Sequence, residues 1–429
     1  MYRLYSLALA ILTALYLPAF LVRKVWGAGY PLAIRERLGF LRATAPPAPG
    51  ARFWVHAVSV GEVMAAVPLV QALRARWPAA DVVVSTVTAT GQQVARTRLG
   101  GATTIVTFPL DFAGPTRRAV RRLEPGCFVA LETELWPNLL RALRRAGVPA
   151  ALANGRISDR SFRRYRWVRR LFRRVLADVA VFCMQSEEDA RRIIGLGAPA
   201  ERVVVTGNLK MELPAGDAGA EQLWRRLLHL GAAPVVVAGS THRGEDGPIL
   251  DAYLAARSAV PGLRLVLAPR HPERLDEIEA QARSRRLGVV RRSRIAAATL
   301  ADVILLDTVG ELASLYAVAD VIFVGGSLVP VGGHNVIEPA RHARPVLFGP
   351  HMTNFRDAAG LLLRAGAAIQ VRDGAALARV LAELLADPGR RQALGKAARE
   401  AVQAHQGACA RTVAALEALL PGLLGGEQA

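Results

Sequence analysis

Cysteine is scarce in this chain. Cys127, Cys183 and Cys409 are the only three thiols in 429 residues, and no paired spacing links them. That excludes a disulfide framework and a thiolate zinc site, and it suits a reducing compartment. Neither a fixed-period repeat nor a disordered low-complexity stretch is present. His271 and His351 are metal-competent residue types, but no carboxylate cluster or paired histidine spacing accompanies them, so no metal is expected. Acidic side chains are the scarcer charge, 35 against 55 basic ones, for a net charge of +20. The surplus is carried almost wholly by arginine. It implies an anionic partner: nucleic acid, anionic lipid head groups or a phosphorylated acceptor.

The length supplies two domains plus appendages. A hydrophobic content of 52% is high for a soluble protein, and part of the excess sits at the start. Residues 4–22 carry no charge over about nineteen positions, roughly the thickness of a bilayer core. Tyr2, Tyr5, Tyr16 and Trp26 suit interfacial positions, Arg23 and Lys24 close the segment, and no small-residue cleavage site follows. A retained anchor is expected, with the positive flank placing the rest of the chain in the cytoplasm. Pro18 complicates a straight span, which leaves an interfacial helix or a helix packed on the protein as alternatives.

Beyond it, short apolar runs at 53–57, 82–86, 104–107, 128–131, 150–153, 179–184 and 203–206 alternate with helical segments. This is the pattern of a parallel, doubly wound sheet, in which ligands bind beyond the carboxyl ends of the strands. Polar motifs fall there. HAVSVGE brings Ser59, Gly61 and Glu62 into a loop opening a helix. ETELWPN puts Glu132, Glu134, Trp136 and Asn138 at the rim, NGRISDRS adds Arg156, and TGNLK adds Lys210. Residues 160–175 are the most basic stretch. There Tyr165, Val168, Phe172 and Val175 recur at helical spacing and are expected to face inward, leaving the arginines outside. That periodicity marks core rather than a nucleic-acid platform, so an anionic membrane surface or phosphorylated lipid fits better.

Residues 212–232 break the pattern as a linker, and a second α/β series begins at Val235. Its runs at 263–268, 303–306, 319–324 and 346–348 are again buried strands. GSTHRGED supplies Ser240 in a small-residue loop, and PRHPER puts Arg270 and His271 at a strand end. Arg270 suits a phosphate, because a guanidinium matches its geometry. The stretch GGSLVPVGGHNVIEPARHARPVLFGPHMTNF, at 325–355, reads as strand, glycine loop, helix over 334–342 and strand. Such a unit presents backbone N–H groups and a positive helix end to a phosphate. Gly332 and Gly333 permit close approach, His334 shapes the loop, Asn335 caps the helix, and Glu338 is placed to accept from a ribose diol.

Taken together, HAVSVGE, ETELWPN, NGRISDRS, TGNLK, GSTHRGED, PRHPER, GGHNVIEP and GPHMTNF resemble the 3-deoxy-D-manno-octulosonic acid (Kdo) transferases of lipopolysaccharide synthesis. The resemblance implies a GT-B glycosyltransferase: two doubly wound α/β domains behind an N-terminal membrane anchor helix. It implies CMP-Kdo as donor and a phosphorylated lipid A precursor as acceptor. The reaction would be inverting, without metal or cofactor, at the cytoplasmic side of the inner membrane beside its anionic leaflet, with no nucleic acid. The expected division is an anchor at 1–28, an acceptor domain at 29–211, the linker, a CMP-sugar domain at 233–395 and a helical tail at 396–429. The resemblance makes Glu36, in IRERLGF, the general base, although by itself a glutamate between Arg35 and Arg37 reads as a solvated ion pair. Arg270, His271, Gly332, Gly333, His334, Asn335, Glu338 and Ser240 fall to the donor. Ser59, Gly61, Glu62, Glu132, Arg156 and Lys210 fall to the acceptor or the donor carboxylate. The alternatives are another GT-B transferase using a UDP-sugar, and a non-enzymatic membrane protein binding nucleic acid through its arginines.

Overall fold

The computed structural model describes residues 2–25, 33–41, 52–101, 103–212, 219–295 and 301–420. The chain divides into two compact units, Met1–Glu212 with Gln406–Ala429, and Leu213–His405. Each is built on a parallel sheet.

In the first unit the strands are β1 (Arg52–His56), β2 (Asp81–Thr86), β3 (Thr104–Thr107), β4 (Cys127–Leu131), β5 (Ala150–Gly155), β6 (Val181–Met184) and β7 (Val203–Val205). Their order is 3-2-1-4-5-6-7. All five residues of β1 and of β4 are buried, as expected for strands covered on both faces by crossover helices. The chain winds outward from β1 to β3, then returns to β4 on the other side of β1. The crevice beyond β1 and β4 is therefore the switch point, where doubly wound sheets bind ligands.

The second unit contains β8 (Val235–Thr241), β9 (Arg264–Pro269), β10 (Val289–Arg291), β11 (Val303–Leu305), β12 (Val321–Val324), β13 (Val346–Phe348) and β14 (Ala368–Gln370). The order 10-11-9-8-12-13-14 places the switch point between β8 and β12. Strands β10 and β14 escape a hydrophobic reading because they are three-residue edge strands, and no residue of β10 is fully buried. The helix Ala220–Leu227, inside the stretch read as linker, belongs to this unit: Trp224 is buried and donates to Ser314 at 2.9 Å.

The last described helix, Ala408–Glu417, lies on the first unit. Cys409, Val413 and Leu416 share a core with Val63 and Leu69 of the helix Val60–Arg76. At the other terminus, Tyr2–Val25 is one helix. Its first turns are bound to the first unit: the Tyr2 hydroxyl donates to Asp178 at 2.7 Å, and Asn138 donates to Ser6 at 3.0 Å. Leu7, Ile11, Leu12 and Leu15 are exposed on it. Among the described residues no helix is long and apolar enough to cross a membrane. Trp26 lies outside the described residues.

The basic stretch forms two helices, Asp159–Trp167 and Arg169–Leu176, broken at Val168. Tyr165 and Phe172 stack inward with ring centroids 4.4 Å apart. Val168, expected inside, is exposed because the break turns it outward, and the neighbouring Trp167 is 91% exposed.

Candidate functional site

Side chains gather at both switch points. In the first unit, Lys210 Nζ lies 2.6 Å from Glu132 Oε1, and a Cβ on Gly61 would come within 3.8 Å of the same amine. Glu132 itself adopts a left-handed backbone, φ 56°, which carries its side chain across the strand ends. Arg156 sits in the next loop, where its carbonyl accepts from Thr133. Ser59 and Glu62 are committed elsewhere. The Glu62 carboxylate accepts from Val58 N–H at 2.7 Å and from Ser59 Oγ at 3.0 Å, while Ser59 caps the helix Val60–Arg76 by accepting from Glu62 N–H. This S-x-x-E capping box satisfies helix-end donors, so these two residues shape the rim and their polar atoms are already engaged. Glu134 joins the rim, and burial followed by the charge of Glu62 pushes its carboxyl up to about 7.

The second switch point gathers one arginine and three histidines. His242 follows β8, Arg270 and His271 follow β9, and His334 follows the β12 loop. His242 Nε2 lies 2.9 Å from His334 Nε2, and the His271 ring stands edge-on to His242 at 5.3 Å. Arg270 is exposed and forms no ion pair with a described residue. Ser240 takes a left-handed backbone, φ 57°, at a bulge closing β8. Among the described residues no cluster of three or more His, Cys, Asp or Glu side chains is arranged to hold a metal ion.

The glycine loop departs from the sequence expectation. Its N–H groups at Gly326, Ser327 and Leu328, with that of His242, all point at one buried carboxylate, Glu245, at 2.6–2.9 Å. Those donors therefore serve a protein anion. Gly332 and Gly333 have φ 107° and 75°, and a Cβ on them would meet Asn354 at 2.4 Å and Met352 at 2.3 Å. The glycines thus seat the GPHMTNF loop. The helix is also shorter than its apolar spacing implies. It covers only Ile337–Ala340, and the chain turns left-handed soon after, at Ala343 with φ 55°. One turn sums few peptide dipoles, so the N-terminal charge effect is weak. The N-cap is Val336 rather than the expected Asn335, but the Asn335 side chain accepts from Ile337 N–H at 3.0 Å and donates to Glu338 Oε1 at 3.1 Å.

Comparison with known proteins decides what these rims belong to. The 3-Deoxy-D-manno-octulosonic-acid transferase (kdotransferase) family matches residues 33–213. A 3-deoxy-D-manno-octulosonic acid transferase of Bordetella pertussis is 40% identical over 403 residues, covering 91% of this chain and 92% of that protein. The chain belongs to the Kdo transferase family. A second member, from Haemophilus influenzae, is 34% identical over 91% of this chain and 92% of its own. The structure of a UDP-GlcNAc 2-epimerase from Neisseria meningitidis shares the fold, with a TM-score of 0.53 at 12% identity, over 86% of this chain and all of that one. The chain is accordingly a glycosyltransferase with two parallel-sheet α/β units of GT-B type.

Within this Kdo transferase, Glu36 lies on a four-residue helix, Ile34–Arg37. Its Oε2 accepts from the backbone N–H of Thr107 at 2.9 Å, which holds it at the carboxyl end of β3. Gly39 follows with φ 84°, and a Cβ there would strike the Pro115 carbonyl at 2.3 Å. Arg35 is exposed, whereas Arg37 turns inward and donates to the Val87 carbonyl at 2.9 Å. Only one of the two arginines flanking Glu36 thus faces solvent. Sequence reasoning named neither Glu245 nor Arg274 as site residues. The available signal was two further charged side chains inside GSTHRGED and PRHPER, motifs already placed at strand ends.

Proposed function

We propose that this enzyme transfers Kdo from CMP-Kdo, with inversion, to a phosphorylated lipid A precursor at the cytoplasmic surface of the inner membrane. The observation that carries the reading is the group of phosphate-competent side chains Arg270, His242, His271 and His334 at the β8/β12 switch point, joined to a family whose named activity is Kdo transfer. Arg270 has no competing carboxylate among the described residues and binds the donor phosphate through charge-assisted hydrogen bonds. Glu338, steadied by Asn335, accepts from the ribose hydroxyls. Glu36 takes the proton of the attacking acceptor hydroxyl. The acceptor oxygen attacks the anomeric carbon opposite the nucleotide, and the single displacement inverts that centre. Lys210 and Arg35 supply positive charge for the acceptor phosphates or the donor carboxylate.

Membrane association is supported by the first unit's surface. Trp167 is exposed on a face of exposed arginines, 160, 163, 164, 166, 169, 170, 173 and 174. Nearby, the helix Tyr2–Val25 contacts Pro137–Arg145, and Pro137–Arg145 contacts Arg169–Leu176. Aromatic and leucine side chains beside arginine suit the interface of an anionic leaflet.

Incubation with CMP-Kdo and lipid A precursor, read by mass spectrometry, is expected to add Kdo to the precursor, while UDP-sugars add nothing. Glu36→Gln should lower kcat by about 100- to 10,000-fold and leave CMP affinity unchanged. Undiminished turnover in that variant removes Glu36 from the mechanism, and intact CMP-Kdo with wild-type enzyme removes the reading itself.

A further inference from the structure

His242 and His334 come together from the two loops that flank the second switch point. Their Nε2 atoms are 2.9 Å apart and their ring planes differ by 11°. At that separation a single hydrogen lies between the two nitrogens, donated by one and accepted by the other. The donor ring then has a bare Nδ1, and its partner carries its own proton on Nδ1. A further proton can enter only at that bare Nδ1, so the pair accepts one proton and thereafter shares one positive charge.

The surroundings oppose that charge. Burial, His271, Arg274 and Arg270 hold His242 below the ordinary histidine range, with Glu245 alone acting the other way. Burial, then His242, Arg270 and His271, push His334 down to about 4. Glu245 is the strongest influence in the other direction, but burial outweighs it, and its carboxylate is engaged by four backbone N–H groups rather than by the imidazoles. The other acids nearby are spent as well: Glu273 on His271 at 3.3 Å, Glu277 on Arg243 at 3.0 Å, and Asp246 on the buried Arg274. Arg274 Nε and Nη1 are buried with no hydrogen-bond partner among the described residues. Burial and the neighbouring Arg270 and Arg274 thus oppose protonation of the imidazole pair, which stays neutral at neutral pH until a bound anion offsets those two guanidinium charges.

We propose that His242 and His334 act as one proton-accepting unit, which becomes cationic when a phosphate occupies this switch point and so stabilises the departing nucleotide. The proposal rests on the reading of this rim as the donor site. During transfer the bond from the anomeric carbon to the bridging phosphate oxygen breaks, and its electron pair stays on that oxygen. The acceptor oxygen bonds the same carbon, and its proton passes to the carboxylate base. The phosphate thereby goes from one negative charge, as a diester, to two, as a monoester. The extra proton remains on imidazole nitrogen and donates a charged hydrogen bond, which strengthens as the second phosphate charge develops.

Calorimetry of CMP binding to the full chain at pH 7.5, in buffers of different ionisation enthalpy, counts the protons. Uptake of about one proton per CMP is expected, with none for cytidine. His242→Asn and His334→Asn should each bring the uptake near zero and weaken CMP about tenfold, with circular dichroism confirming their folds. Histidine ring resonances give a second reading on wild-type protein: two should move together to protonated positions as CMP is added. CMP binding without proton uptake, or uptake unchanged in both variants, overturns the pair's role. Failure of CMP to bind wild-type protein overturns both this role and the donor-site reading.

Discussion

The His56 ring lies fully buried at the end of β1, stacked on Phe108 with centroids 3.7 Å apart. Its Nδ1 donates to the Ser85 carbonyl at 3.1 Å, and its Nε2 has no hydrogen-bond partner among the described residues. Burial outweighs the Ser85 hydrogen bond and pushes its pKa down to about 3. In the unfolded chain the same ring titrates near 6.5, so between these values the unfolded state binds more protons. The stability tied to neutral His56 is therefore complete above about pH 6.5 and is lost progressively as the pH falls toward about 3. At pH 4.5 the loss should be about 3 kcal/mol. Urea unfolding at pH 7.5 and 4.5 should show wild type losing that much more than His56→Gln, and equal losses would contradict the account.

Among the elements, the loop after β8 and the loop after β12 are joined by Glu245, which the sequence places 82 residues from Ser327. A carboxylate accepting four backbone N–H groups fixes both loops, and with them His242 and the path to His334. Glu245→Gln retains only one oxygen and turns amide hydrogens toward the same donors. It should cost about 3 kcal/mol of stability and weaken CMP binding along with it, measured by urea unfolding and calorimetry. An unchanged unfolding midpoint would mean that those N–H groups find partners without the charge. The same element shows why a glycine-rich strand-to-helix loop is ambiguous. Its backbone donors can serve a phosphate or an internal carboxylate, and the identity of the acceptor lies far away in the chain.

For the molecule as a whole, part of the net charge of +20 is displayed on the surface proposed to meet the membrane. The arginines of Asp159–Trp167 and Arg169–Leu176 are exposed around Trp167. Vesicles containing phosphatidylglycerol should bind the protein, neutral phosphatidylcholine vesicles should not, and added salt should release it. Replacing Arg169 and Arg170 by Ala should weaken vesicle binding roughly 30-fold, at about 1 kcal/mol per arginine near the surface. Trp167→Ala should weaken it further. Equal binding by all these variants in sedimentation assays would assign the membrane contact to another surface.

Much of this architecture could be read before any coordinates. Twelve of the fourteen strands coincide with short apolar runs, since a strand buried on both faces must be apolar along its length. The two that escaped, β10 and β14, are edge strands too short to carry a pattern. The rim motifs were legible for a related reason: in a parallel sheet every strand's carboxyl end opens on the same side, so order along the chain becomes position in space. Kdo-transferase membership was likewise written in local motifs.

The sequence by itself determined the two sheets, the rims and the polar residue types available at each. Tertiary structure decided what those residues are engaged with. Arg37 reaches the Val87 carbonyl, 50 residues away, and His242 meets His334 across 92 residues. Hydrogen bonding saturates at short range, so whether a side chain remains available to a ligand depends on which distant loop the fold brings within 3 Å.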